Sequence, residues 1–242
     1  MQLIRREMDD YRILLRNVPS LVITLFVVSV IMMNLLANKE LISVKYFALD
    51  CGFVLSWISF LCMDMICKRF GARAAAKISL LALAVNLCAT LIFKIMSMTP
   101  GMWGEYYSTG LTEVNDGLNA TFGGSWYVVF GSSVAMLAAA LCNSFINHTV
   151  AKHLRSDGYK AFAARSFVST GVAQFVDNLT FALIVSYHFF GWSAAQVLVC
   201  SLTGAVAELL CEVVFSPFGY RVSQQWEAEN VGQQYLDYVF SK

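Results

Sequence analysis

Charge is scarce in this chain: Asp, Glu, Lys and Arg make up 14% of its 242 residues, against 58% hydrophobic. Soluble domains carry about 25% charged residues, so a solvated globular domain is excluded. The 17 basic and 16 acidic residues nearly cancel, and no nucleic-acid partner is expected. Paired cysteine spacing is absent as well. Cys51, Cys62, Cys67, Cys88, Cys142, Cys200 and Cys211 all fall within or at the ends of apolar runs, with no C-x-x-C among them. That excludes a disulfide framework and a zinc site and leaves them as small apolar fillers. There is no H-E-x-x-H, no G-x-S-x-G and no Walker A sequence, so metalloprotease and serine-hydrolase chemistry and ATP hydrolysis by this chain are not expected, nor is any cofactor. Nor is a cleavable leader expected: charges fill the first sixteen positions, and no small-residue cleavage site follows a short apolar core.

Long apolar runs are what the sequence does have. Windows of about 20 residues give six spans, at 20–38, 47–67, 74–96, 126–151, 162–190 and 194–217, and the mean hydropathy is +0.61. The expectation is an all-α polytopic membrane protein of six transmembrane helices, forming a single domain over 1–242. Basic residues set its orientation. Fourteen of the 17 Lys and Arg fall before span 1, at the joints of spans 2 and 3 and of spans 4 and 5, where Lys77 and Arg165 are in the first turn of the following span, or after span 6, which places both termini in the cytoplasm. Residues 1–19, with Leu3, Ile4, Met8, Tyr11, Leu14 and Leu15 against four arginines, form a basic cytoplasmic segment suited to an anionic leaflet. The external stretch 97–124 carries Trp103, Tyr106, Tyr107 and Phe122, a composition that fits either a lid or an interfacial aromatic belt.

Polar residues inside the spans are costly and mark function. Span 5 gathers most of them. At 100° per residue, Thr170, Gln174, Asp177, Asn178, Phe181 and His188 fall within roughly 100° of one another, on one face of an apolar helix. In span 6, Ser201, Gly204, Glu208 and Glu212 share about 80° of surface, and Glu208 is expected to face the cavity of Asp177. Span 1 ends with Asn34 and Asn38 one turn apart. Span 2 carries Asp50, Trp57 and Asp64 within about 40°, with Asp64 expected to pair with the basic Lys68 and Arg69. Span 4 is lined with small residues such as Gly131, Ser132, Ala135 and Ala139, which favour close helix packing.

The residues Arg165, Ser169, Thr170, Gln174 and Asp177 resemble the span 5 motif of the queuosine precursor transporters, also called the vitamin uptake transporter family. NLLANKEL at the end of span 1 and DMICKRFG at Asp64–Gly71 are similar to two further stretches of that family. The chain departs from the pattern at Lys68, Ala140 and Asn143, where many members have Glu, Gln and Asp. Span 4 and the inner end of span 2 are therefore not counted as substrate contacts. The resemblance implies an architecture similar to the substrate-binding subunits of energy-coupling-factor importers, in a bacterial inner membrane, and import of 7-deazaguanines such as queuine or its precursors.

Such a ligand has a donor edge for a carboxylate, a carbonyl for an amide or hydroxyl, and a flat ring for aromatics. Asp177, Glu208, Gln174, Asn178, Thr170, Asn34, Asn38, Trp57 and Phe181 are the candidate substrate-binding residues. The alternatives are a transporter for another nucleobase- or vitamin-like solute and an intramembrane enzyme. Beyond substrate and lipids, the partners open to the chain are an energising ATPase module or a second copy of itself; facilitated and proton-coupled transport are open too. The resting cavity is expected to open outward, gated by the 38–46 connection and the 97–124 stretch.

Overall fold

The computed structural model describes all residues except 1, 105–108, 154–158 and 242, and side chains except also 2–4, 144, 147–153 and 159–166. Tyr106 and Tyr107, with the side chains of Asn147, His148, His153 and Arg165, thus lie outside the described residues. Helix α1 (Gln2–Asn17) is followed by α2 (Ser20–Leu36), and the pair is bent by 107°. Pro19 causes the bend: its ring pushes Val18 out of helical conformation and withholds a backbone donor. A hairpin, β1 (Glu40–Val44) and β2 (Phe47–Asp50), leads into α3 (Phe53–Phe70). At the next joint Gly71 adopts φ 88°, a conformation that favours glycine, and opens directly into α4 (Ala72–Ser97). Then come α5 (Thr112–Gly124), α6 (Trp126–His153) and α7 (Tyr159–Phe181). A π-helical turn, Ala182–Ser186, and a short turn, Tyr187–Phe189, extend α7. The chain ends with α8 (Ala194–Ala228), begun by a reciprocal Ser193–Gln196 capping box, and α9 (Gln233–Phe240).

This is an all-α polytopic membrane protein, with one small hairpin among its helices. Four stretches are long and apolar enough to cross a bilayer, Ala72–Ser97, Thr112–Asn143, Phe167–Phe189 and Ala194–Ala228, and bent α1–α2 is a fifth candidate. The expected second span is the one that changes most. Its first residues, Phe47–Asp50, are a strand, and α3 keeps 18 residues that include Asp64, Lys68 and Arg69. Span 6 is longer than expected. The helix runs through Pro217, and the carbonyl of Val213, which the proline cannot serve, accepts from Ser216 Oγ at 3.3 Å.

Helix α8 packs between α3 and α7, α6 lies along α7, and α2 packs on α3 and α4. The main apolar core joins α1 to α4 with the last helices: Leu14, Phe26, Ile66, Phe70 and Ile78 meet Trp226 and Tyr235. Helix α1 is clamped to α4 by charge. The Lys77 ammonium meets Glu7 at 2.7 Å and Asp10 at 3.0 Å, and Arg73 adds a 3.0 Å contact to Glu7. The hydrogen bond from Lys77 holds the Glu7 carboxyl below the usual carboxylate range. Its contribution is fully present above about pH 4.5, the ordinary value, and is lost as pH falls through the lower folded value.

Candidate functional site

A cavity of about 160 Å³ lies among α2, α3, α6, α7, α8 and the hairpin. At 10–15 Å³ per water it has room for on the order of ten waters. Its walls are aromatic and aliphatic: Phe26, Phe53, Phe60, Phe181, Phe190 and Trp192 are among them. Its polar groups are acids, amides and hydroxyls. Glu40, Asp50, Asp177 and Glu208 line it, with Asn34, Asn143, Asn178, Ser56, Ser132 and Ser201, and among the described residues no Lys, Arg or His does.

The carboxylates are not equivalent. Asp50 Oδ1 accepts from the backbone N–H groups of Gly52 and Phe53, at 2.7 and 3.2 Å, and so caps the start of α3. Glu208, 7% exposed, accepts from Ser56 Oγ at 2.7 Å on one oxygen and from Asn178 Nδ2 at 2.9 Å on the other. Gly204 makes the second bond possible, because a Cβ there would stand 3.0 Å from Asn178 Oδ1. Asp177 faces the same cavity, and among the described residues no donor reaches its carboxylate. Asn143 Oδ1 and Ser201 Oγ are buried there without a partner among the described residues. The cavity therefore offers unsatisfied oxygens to a ligand rich in N–H groups, and acidic walls to a cation.

Of the nine candidate residues, Asn34, Asp177, Asn178, Phe181 and Glu208 line this cavity. Gln174 and Thr170 are buried beneath it, at 0% and 2% exposure. Trp57 and Asn38 do not line it. Trp57 stacks on Phe215 with ring centroids 4.1 Å apart, and Asn38 donates to Ser125 Oγ at 3.0 Å. His188 also leaves the polar face. The π turn adds a residue to the helical repeat and rotates everything beyond it, so His188 is exposed against Tyr187. Asp64 faces Glu212, while Lys68 lies 3.5 Å from the centre of the Tyr220 ring and Arg69 donates to Val231 O at 3.0 Å.

The gate is corrected in part. The hairpin supplies Glu40, Ala48, Leu49 and Asp50 to the cavity, whereas the described part of 97–124 contributes nothing to it and packs on α4 through Phe93, Phe122 and Trp103. Met63, in the second half of α3, is part of the cavity wall. Helix α6 is the element that sequence reading set aside. Ser132, Met136, Ala139, Ala140 and Asn143 all line the cavity, and their single-face spacing was the signal available. No curated protein matches the chain, and neither does any solved structure. The family described as "Putative vitamin uptake transporter" matches residues 50–222, which include the hairpin's last residue and most of the cavity wall. A multi-pass membrane chain folded around a ligand-sized acidic cavity and matched to that family over well more than half its length belongs to the vitamin uptake transporters.

Proposed function

We propose that the chain imports 7-deazaguanines, queuine or its precursors, across a bacterial inner membrane, as one six-span domain with both termini in the cytoplasm. The observation that carries this reading is the Asp177 carboxylate in an aromatic cavity, which no donor among the described residues reaches. A deazaguanine brings an N1–H and an exocyclic amine that a carboxylate accepts side by side, and a ring that stacks on Phe181. Asn143 Oδ1 and Ser201 Oγ are free to meet the remaining polar edge. Glu208 and Glu40 give an aminomethyl substituent a counter-charge, so the amine-bearing precursor is the preferred ligand.

Uptake of radiolabelled queuine and of the aminomethyl precursor, in cells lacking their own importer, is the test. Expression of the chain is expected to give saturable accumulation of both, and accumulation no higher than in empty-vector cells overturns the reading. Glu208→Gln separates the charge from the shape. A charged hydrogen bond exceeds a neutral one by about 1–1.5 kcal/mol, so the variant is expected to lose about ten-fold in affinity for the amine and little for a neutral analogue. Equal losses for both ligands remove Glu208 from charge recognition.

A further inference from the structure

The cavity has a mouth, and a hairpin residue marks it. Among the described residues of its wall, Glu40 and Phe190 are the exposed ones, and the others are buried or half-buried. Phe190 stands on a fixed lip, because its backbone N–H and that of Trp192, which also lines the cavity, both donate to the carbonyl of Ser186 at 3.1 Å. Glu40 is placed by a bulge. Val44, Ser43 and Ile42 pair in order with Phe47, Ala48 and Leu49, a register in which Asp50 would meet Leu41. The ladder instead slips by one residue and sets Glu40 opposite Asp50. Since a one-residue slip carries a side chain to the other face of a strand, the bulge brings the Glu40 carboxylate to the face of Asp50, and both line the cavity. Leu41, the residue left over, is 51% exposed.

Like charges directly opposite each other on two strands are destabilising. Among the described residues no Lys, Arg or His forms an ion pair with either carboxylate, and the hairpin's own lysines, Lys39 and Lys45, do not line the cavity. Asp50 is partly compensated by the N–H groups of Gly52 and Phe53. The row continues inward: Asp50 is near enough to Glu208 for its charge to act there, and Glu208 likewise to Asp177. Beside the hairpin, Ser201 of α8 is 2% exposed and lines the same cavity, and its hydroxyl has no partner among the described residues. Cys200 before it lies against Ala48 of β2. A buried hydroxyl left over in this wall calls for a polar ligand, and the row of carboxylates sets that ligand's sign.

We propose that Glu40 and Asp50 form an entry site for organic cations, a charge filter that passes an ammonium-bearing ligand inward to Glu208 and Asp177 and turns anions away. Charges on the rim of a binding site act on the rate of arrival more than on the final affinity. Glu40 is exposed and is such a charge, whereas Glu208 is buried and holds what has arrived. Phe190 and Trp192 supply rings with which a passing cation interacts favourably. The filter is a property of the mouth whatever solute the chain carries; its service to uptake rests on the transport reading above.

The filter is tested first without any solute. Ser132→Cys places a reporter thiol in the cavity wall of the purified full-length protein, with Met136→Cys as a second reporter, and modification at that position is followed by mass spectrometry. Trimethylammonioethyl methanethiosulfonate is the cationic reagent and sulfonatoethyl methanethiosulfonate the anionic one, each rate being divided by that for a free thiol in solution. At low salt the cation is expected to react about ten-fold faster than the anion. Glu40→Gln should cut that preference about five-fold, Glu40→Asp should keep it, and salt at about 0.5 M should remove most of it. No preference at either reporter, or one that Glu40→Gln leaves intact, overturns the filter. In the uptake assay, Glu40→Gln is expected to raise the half-saturation concentration for the aminomethyl precursor about three-fold and to leave that for a neutral analogue unchanged. Equal shifts for both overturn its part in uptake. Wild-type protein that carries no deazaguanine overturns the transport reading instead, and leaves the reagent preference standing.

Discussion

Replacing Asp177 with asparagine is expected to weaken binding of a 7-deazaguanine about 100-fold, since two charge-assisted bonds at roughly 1.5 kcal/mol each are lost and each 1.4 kcal/mol is a factor of ten. The substitution preserves volume and shape. It also turns an amine toward the ligand's own N–H groups, so the new side chain repels where the old one accepted. Because no described donor in the protein depends on the Asp177 carboxylate, thermal stability should change by no more than about 0.5 kcal/mol. Equilibrium binding of labelled ligand to purified protein, alongside a melting curve in the same detergent, reads both quantities. Wild-type affinity in the variant removes Asp177 from the site. Asn178→Ala should cost less, about one neutral hydrogen bond, together with the tether on Glu208.

The largest effect on stability is expected at Lys77. Its side chain is 8% exposed and shared between Glu7, which is half exposed, and Asp10, whose side chain is 6% exposed. Lys77→Met leaves Asp10 buried, with Arg73 at 3.6 Å as a more distant and exposed cation. Removing one partner of a buried pair costs about 3–5 kcal/mol. The double variant Lys77→Met, Asp10→Leu removes both charges and should recover most of the loss. Thermal unfolding of the three proteins decides the matter: a single variant as stable as wild type shows that α1 is held by its apolar contacts alone.

How much was legible can be followed residue by residue. Thr170, Gln174, Asp177, Asn178 and Phe181 fall on one side of α7 because five residues at helical spacing need only a continuous helix to share a face. The same arithmetic failed where the backbone changed type. Asp50 and Trp57 shared a face only if the helix ran through Gly52, and Asp50 is on a strand, so Trp57 points to Phe215. Phe47-Ala48-Leu49 is apolar without alternation, and short runs of that kind do not distinguish strand from helix. The π turn hid His188 in the same way. Helix α5 has no apolar period of its own, and Phe122, stacked on Trp103 and packed on Phe93, ties it to α4. Membrane class, by contrast, follows from composition alone, since apolar windows of this length have few other solutions.

The meeting of α1 with α9 has a consequence for biosynthesis. Asn17 and Gln234 are hydrogen-bonded across 217 positions of sequence, and Tyr235 sits against Phe70 in the core that also holds Leu14. A ribosome delivers the first helix long before the last. During translation the apolar face of α1 and the ring of Phe70 wait without their final neighbour, while the spans between them enter the membrane. Closure of this end of the bundle is therefore a late event, possible only once Gln233–Phe240 has been synthesised. Until then a lipid surface is the natural resting place for an amphipathic α1, which makes the nascent chain's first helix a membrane-bound intermediate on the way to its packed position.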